Sequence, residues 1–181
     1  MLPGLYVPPH AWRMSLDVPA AKSQGGLDFN GYAVRSLIPA GRLRASGSRV
    51  RLRWNCPTTH SNSMTDVYIG RQATSGDTWD FAATPTRVTI GGGNTLTLTQ
   101  SGADVYSDEI LFTFQQGDGL IISYAMAAVA NNWPWSTSGG PTGSETAFKS
   151  GAASEVATVD VSGYTLTGAT QYQWIKDIEF Q

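Results

Sequence analysis

Cysteine is almost missing from this chain of 181 residues. Cys56 stands alone, so no disulfide can form within it and the fold must hold by packing. Its setting suits a partly buried apolar thiol, and as a nucleophile it would have only His10 or His60 to serve as base. Charge is scarce as well. Asp, Glu, Lys and Arg make up 14% of the residues, against about 25% in an average domain. That deficit, with abundant Gly, Ser and Thr, disfavours helices and suits short strands joined by turns. The net charge of −2 offers no general affinity for nucleic acid. It is unevenly placed, however: residues 1–90 carry ten Arg/Lys and five Asp/Glu, residues 91–181 two and nine, which points to one basic face. No apolar run reaches the ~18 residues of a membrane helix. The longest, Leu120 to Ile122 with Ala125 to Ala130, is broken by Ser123 and Tyr124. The opening MLPGLYVPPHAWRM has no basic segment leading into an apolar one, so no secretory signal is expected. Synthesis in a cytoplasm, with any external location reached by another route, is the expectation.

What is present reads as strands. Residues 1–28 form a proline-containing arm, where Pro8-Pro9 forbids helix and favours an extended run. From residue 29 to 181 a single domain is expected. Tyr32, Val34 and Ser36 alternate with Ala33, Arg35 and Leu37 until Pro39 stops the strand. In Arg49-Val50-Arg51-Leu52-Arg53-Trp54 the alternation is strict over six residues, three apolar side chains one way and three arginines the other. Asp66 to Gly70 is a further strand. Thr86 to Ile90 and Thr95 to Thr99, joined by Gly91-Gly92-Gly93-Asn94, read as a hairpin. Glu109 to Phe114 and Leu120 to Met126 read as the next pair, linked by Gln115 to Gly119. Residues 131–155 read as a long polar loop of the kind that carries function or an interface. Strands at Glu155 to Val161 and Gln171 to Phe180 close the domain. Nine or ten short strands without a helix of ten residues predict an all-β fold, a two-sheet antiparallel β-sandwich of jelly-roll type.

Five segments in order carry a family resemblance: Ser46 to Asn55 (SGSRVRLRWN), Asp66 to Gly70 (DVYIG), Thr86 to Gly93 (TRVTIGGG), Tyr106 to Phe114 (YSDEILFTF) and Gly117 to Tyr124 (GDGLIISY). They resemble the jelly-roll accessory domain that precedes the catalytic domain in some secreted SGNH/GDSL-type esterases, over about residues 32–126. Asn55 matches that module's terminal Asn, whereas Trp54 stands for its serine and Ile90 for its phenylalanine. The resemblance implies a jelly-roll-like fold and a relation to sugar-binding modules. It implies no activity, because the esterase nucleophile block has its only counterpart in Gly117-Asp118-Gly119-Leu120, which lacks the serine and suits a turn.

No nucleophile elbow is present, and His10 and His60 lack metal-ligand spacing. Gly91-Gly92-Gly93 lacks the Lys-Ser/Thr of a phosphate loop. Asp77/Asp80 and Asp108/Glu109 have the composition of a carboxylate dyad, without a visible cleft. Asp77 and Asp80 also suit a Ca²⁺ ion with nearby carbonyls, and no cofactor is otherwise implied. Arg49, Arg51 and Arg53 have two readings: a solvated face balanced by acids on a neighbouring strand, or a contact for an acidic glycan or adjacent subunit. Trp133 and Trp135 flank Pro134 in a polar stretch, as a lid on the domain's own core, a subunit anchor or a sugar platform. Trp79, beside Asp80 and Phe81, raises the same question. Together these features resemble structural proteins of tailed bacteriophages. The expected function is a non-catalytic virion component (capsid decoration, spike, fibre or tail module). It would assemble with other virion subunits or its own copies and attach to cell-surface polysaccharide, without nucleic-acid binding or membrane insertion. The alternative is a stand-alone carbohydrate-binding module or esterase accessory domain.

Overall fold

Val50, Leu52 and Trp54 are fully buried and the arginines between them point away, so β4 (Gly47–Asn55) has the one apolar face that its alternation requires. The computed structural model describes residues 12–17, 23–25, 30–55, 61–99, 103–128, 133–135, 145–166 and 175–181. Before β4 come β1 (Arg13–Asp17), β2 (Ser23–Gly25) and β3 (Ala33–Ile38). After it follow β5 (Asn62–Arg71), β6 (Thr86–Arg87), β7 (Thr95–Leu98), β8 (Asp104–Tyr106), β9 (Ile110–Phe114) and β10 (Leu120–Ala128). The last are β11 (Trp133–Trp135), β12 (Glu145–Lys149), β13 (Thr165–Leu166) and β14 (Ile175–Phe180). No α-helix occurs among the described residues; the one helical turn is a 3₁₀ turn at Ala153–Glu155.

Two antiparallel sheets face each other. The first runs β1-β14-β4, and β8 and β9 follow one another along the far edge of β4. The second runs β13-β12-β3-β10-β5, and β6 and β7 likewise share the far edge of β5. If β1, β3, β4, β5, β7, β9, β10 and β14 are numbered one to eight, the first sheet reads one, eight, three, six and the second two, seven, four, five. That is jelly-roll order. The β12-β13 pair widens the second sheet, and β2 with β11 forms a separate ribbon. Between the sheets lie Val50, Leu52, Trp54, Phe114 and Ile178 from one side and Val34, Ile38, Met64, Ile69, Leu96 and Ile122 from the other, among others. Each such aliphatic residue, fully removed from water, stabilises by about 1.5–3 kcal/mol.

The two sheets differ in what covers them. On the second sheet all six residues of β3 are buried, as is β10 from Leu120 to Met126. Its outer side chains Leu37, Ile121 and Ala147 pack under Trp79, Phe81 and Val161. Ala33 and Ala125 pack under Ala152 and Val156. One side chain ties this cover down. Fully buried Arg35 donates through Nη1 to the Trp79 carbonyl and through Nη2 to the carbonyls of Glu155 (3.3 Å) and Thr158. Its guanidinium carbon lies 4.3 Å from the Phe81 ring centroid and 5.5 Å from that of Tyr164. Burial pulls this guanidinium below its ordinary pKa, against the opposing influence of Tyr164, Asp80 and Glu155. Among the described residues the first sheet has no such blanket, and its outer face carries the charged stripe.

Several local expectations are corrected. The sheet already begins inside the stretch read as an arm, because β1 pairs with β14. Thr86 to Ile90 and Thr95 to Thr99 do not form a hairpin with each other. Both lie along β5, and residues 89–93 loop out between them. Gly91 and Gly92 have φ of 58° and 76°, closing a tight turn with an Ile90–Gly93 bridge. β9 and β10 also fall in opposite sheets, so the turn at Gln115 to Gly119 carries the chain across the sandwich. Within 131–155 the structure places β11 and β12 where a loop was expected. Glu155 to Val161 is not a strand. Two of its carbonyls turn to Arg35 instead of a neighbouring strand.

Candidate functional site

The outer face of the first sheet is built by alternation. On β4 it presents Arg49, Arg51 and Arg53; register places Asp177 and Glu179 of β14 on one side, and Tyr106 of β8 and Leu111 of β9 on the other. The arginines are bound to acids. Arg49 pairs with Glu109, and Arg51 Nε donates to Glu179 Oε2 at 2.6 Å. Arg53 lies 3.3 Å from Asp177 Oδ2 and 3.8 Å from Asp104 Oδ2. Asp177 and Glu179 are buried beneath these arginines. Burial acts to lower the Arg53 pKa. A hydrogen bond to Tyr106 and the charges of Asp177 and Asp104 outweigh it and raise the pKa. Among the described residues, three arginines against four carboxylates make a mixed face. The reading of a solvated stripe balanced by neighbouring acids therefore fits better than an open cradle for an acidic glycan.

Aromatic rings sit in the same network. The Arg51 guanidinium carbon is 4.6 Å from the ring centroids of both Trp12 and Tyr106, so the cation is held between two π-faces. Tyr106 and Leu111 are two of the three large apolar side chains left exposed among the described residues, at 38% and 72%. The third, Leu166, lies on β13. Arg49 and Glu109 beside Leu111 are also open, their side chains 52% and 38% exposed. A water-facing patch is thus formed by Leu111, Arg49, Glu109, Tyr106 and part of Arg51. Sequence reasoning named the arginines and missed Trp12, Tyr106 and Leu111. The signal for Leu111 was available, since Ile110, Phe112 and Phe114 alternate inward around it.

The edge beside this patch is closed. The Arg71 Nη2 donates to the Thr113 carbonyl at 2.9 Å, reaching from β5 across to β9. Asp108 accepts from the amides of Gly91 (2.9 Å) and Gly92 (2.8 Å), and its own amide donates to the Thr89 carbonyl at 2.8 Å. The Thr89 hydroxyl, then the Gly92 and Gly91 amides, hold the Asp108 carboxyl below its ordinary pKa. The clamp joins the Gly91-Gly92 and Ser107-Asp108 segments that the family resemblance singled out. Ser107 Oγ accepts from the Leu52 amide at 2.9 Å, bridging the break between β8 and β9.

The remaining candidates are placed as follows. Trp79 is buried in the cover of the second sheet and is not a surface ring, because Arg35 holds its carbonyl and Leu37 and Ile121 lie beneath it. Asp80 accepts from the amides of Val161 (2.7 Å) and Asp77 (2.8 Å), and Asp77 from that of Trp79 (3.0 Å). These carboxylates brace loops rather than converge on a cavity. Among the described residues no three His, Cys, Asp or Glu side chains gather to hold a metal ion. Glu109 is engaged by Arg49 and Asp108 by its clamp, so neither pair read as a dyad is free. Asp118 accepts from the Gln115 amide, which makes Gly117 to Gly119 a turn. Trp133 and Trp135 pair through their backbones with Gly25 and Ser23; their side chains lie outside the described residues, as do Cys56, His10 and His60. No protein-family model matches the chain, and no curated protein matches its sequence.

Proposed function

We propose that this chain is a non-catalytic binding and assembly module, a jelly-roll building block of a bacteriophage or phage-like particle. Its contact surface is the outer face of the first sheet. The observation that carries the reading is the asymmetry of the sandwich. The central strands of one sheet, β3 and β10, are buried on both sides, whereas among the described residues the other sheet leaves an outer face with pre-ordered arginines, an aromatic clasp and an exposed leucine. Held side chains lose little entropy on binding, and a Tyr or Arg in a mixed-charge surround is the usual make-up of an interface anchor. Jelly rolls serve in viral capsids and in lectins, and the particle setting rests on that fold-level analogy together with the phage-like character of the sequence.

Co-sedimentation tests it. In the lysate of a producing host, the tagged chain should travel with assembled particles through a density gradient. The double change Tyr106→Ala with Leu111→Asp should leave it at the top. A wild-type chain that never enters the particle fraction would overturn the reading.

A second reading, a carbohydrate-binding module, is favoured by the Trp12 and Tyr106 rings beside paired charges. Because the arginines are neutralised, such a module would take a neutral sugar. Retention on immobilised neutral polysaccharide, lost on Tyr106→Ala, would favour it over the particle.

A further inference from the structure

The charges around Leu111 fit a second copy of themselves, and we infer that the Leu111 patch is the contact between two copies of this chain. The inference rests on the assembly reading above and names one partner within it. Leu111 is the most exposed large apolar side chain among the described residues, and register sets it directly opposite Arg49. Glu109, two residues earlier on the same edge, pairs with that arginine. The patch is therefore an apolar knob beside a contacting cation–anion pair, all three exposed. A two-fold axis lying in the face, passing through Leu111 and between Arg49 and Glu109, brings each Leu111 onto its counterpart. It also sets each Arg49 over the partner's Glu109. Four charges of alternating sign then form a quartet beside a dry apolar contact. This is the self-complementarity that an isologous contact needs and that an unrelated surface would not supply.

Strand addition is hindered at this edge. The Thr113 carbonyl is already taken by Arg71, and Asp108 is tied to the 89–93 loop. The inferred contact runs through the face rather than by extending the sheet. Tyr106 and Arg51 lie farther along the same face, where they add contact area at the rim.

Sedimentation equilibrium of the full chain, over micromolar to hundreds of micromolar concentrations, tests this in low salt. The wild-type chain should show a reversible dimer. Leu111→Asp should raise its dissociation constant by at least about tenfold, as truncating an anchor typically does, while circular dichroism confirms the fold. The decisive pair is Arg49→Glu and Glu109→Arg, made in separate chains. Each variant alone sets like charges against like and should weaken self-association by about tenfold or more. Mixed in equal amounts, the two should pair with one another more tightly than either does alone, because specificity here is a difference of attractions and repulsions. A misfolded variant could not give that rescue. A wild-type chain that stays monomeric throughout overturns the inference, as does a dimer indifferent to Leu111→Asp or a mixture that pairs no better than its parts. A monomer that still enters particles through this face overturns the dimer alone and leaves the assembly reading standing.

Discussion

Arg35→Met is the most informative change to make, because two opposing effects of burial meet at that residue. Arg35 is fully buried and no carboxylate forms an ion pair with it among the described residues. Methionine keeps much of the stem volume and removes the cost of holding a desolvated cation, which by itself can make such a replacement neutral or favourable. Against that, the Trp79 carbonyl loses its Arg35 donor inside the buried cover, at about 1–3 kcal/mol. The Thr158 carbonyl loses a second one in a half-buried position, and the Phe81 face loses a desolvated cation contact of about 2 kcal/mol. We expect the losses to win, with a net destabilisation of about 2–4 kcal/mol in urea melts at unchanged m-value. Arg35→Lys should recover less than half, because one ammonium cannot span carbonyls from two loops as a planar fork does. Limited proteolysis should show new cleavage in 72–85 and 150–164 before the core strands. A variant within about 0.5 kcal/mol of wild type would mean that the cover is held by its apolar contacts alone, and the reasoning would be refuted.

Leu52→Ala should cost about 2–5 kcal/mol and Arg49→Ala under about 1 kcal/mol, since one is buried between the sheets and the other is half of an exposed ion pair; the reverse order in denaturant melts would shift the register of β4 by one residue. Gly70→Ala should destabilise by about 1–3 kcal/mol by overpacking, because its new Cβ would come within 2.4 Å of Phe81; a neutral melt would show that Phe81 can move. Asp108 has a depressed folded-state pKa, so its contribution is present above the unfolded value near 3.9 and disappears as pH falls through the lower folded value. Asp108→Asn should flatten the acid limb of a stability-versus-pH curve, and an unchanged limb would show that the clamp is not linked to protonation.

How far the sequence could be read depended on whether neighbours in space were neighbours in sequence. β4 was legible because a single core face and a single outer face make its alternation strict. The all-β class followed from the same pattern repeated. β3 also alternates, but both of its faces are buried, and what buries the second face arrives from residues 72–85 and 150–164. Nothing near Ala33 announces that. Trp79 looked like a free ring for the same reason, since the arginine that seats it lies far upstream. The stripe of Arg49, Arg51 and Arg53 was visible as a stripe, while its acids come from β8, β14 and the turn before β9. The expected hairpin around Gly91-Gly92 failed because the turn residues were right and the pairing partner was wrong. Both flanks preferred β5 to each other.

Asp66 adopts a left-handed backbone, φ 51°, in the middle of the long strand β5. At that residue the ladder to β10 loses step, between the pairs Ser123–Tyr68 and Ala125–Thr65. On the opposite side the ladder is interrupted by the looped-out residues 89–93, where Val88 bonds to Val67 and Asp66 to Asn94. A strand with one irregularity can slide past one neighbour until the fault reaches its end. Here one fault from each side meets at a single residue, and a second step in the β10 ladder falls between Met126–Met64 and Ala128–Ser63. Sliding against either neighbour leaves the other mismatched. Asp66 therefore acts as the origin from which both ladders are counted, and β5 has one alignment available to it.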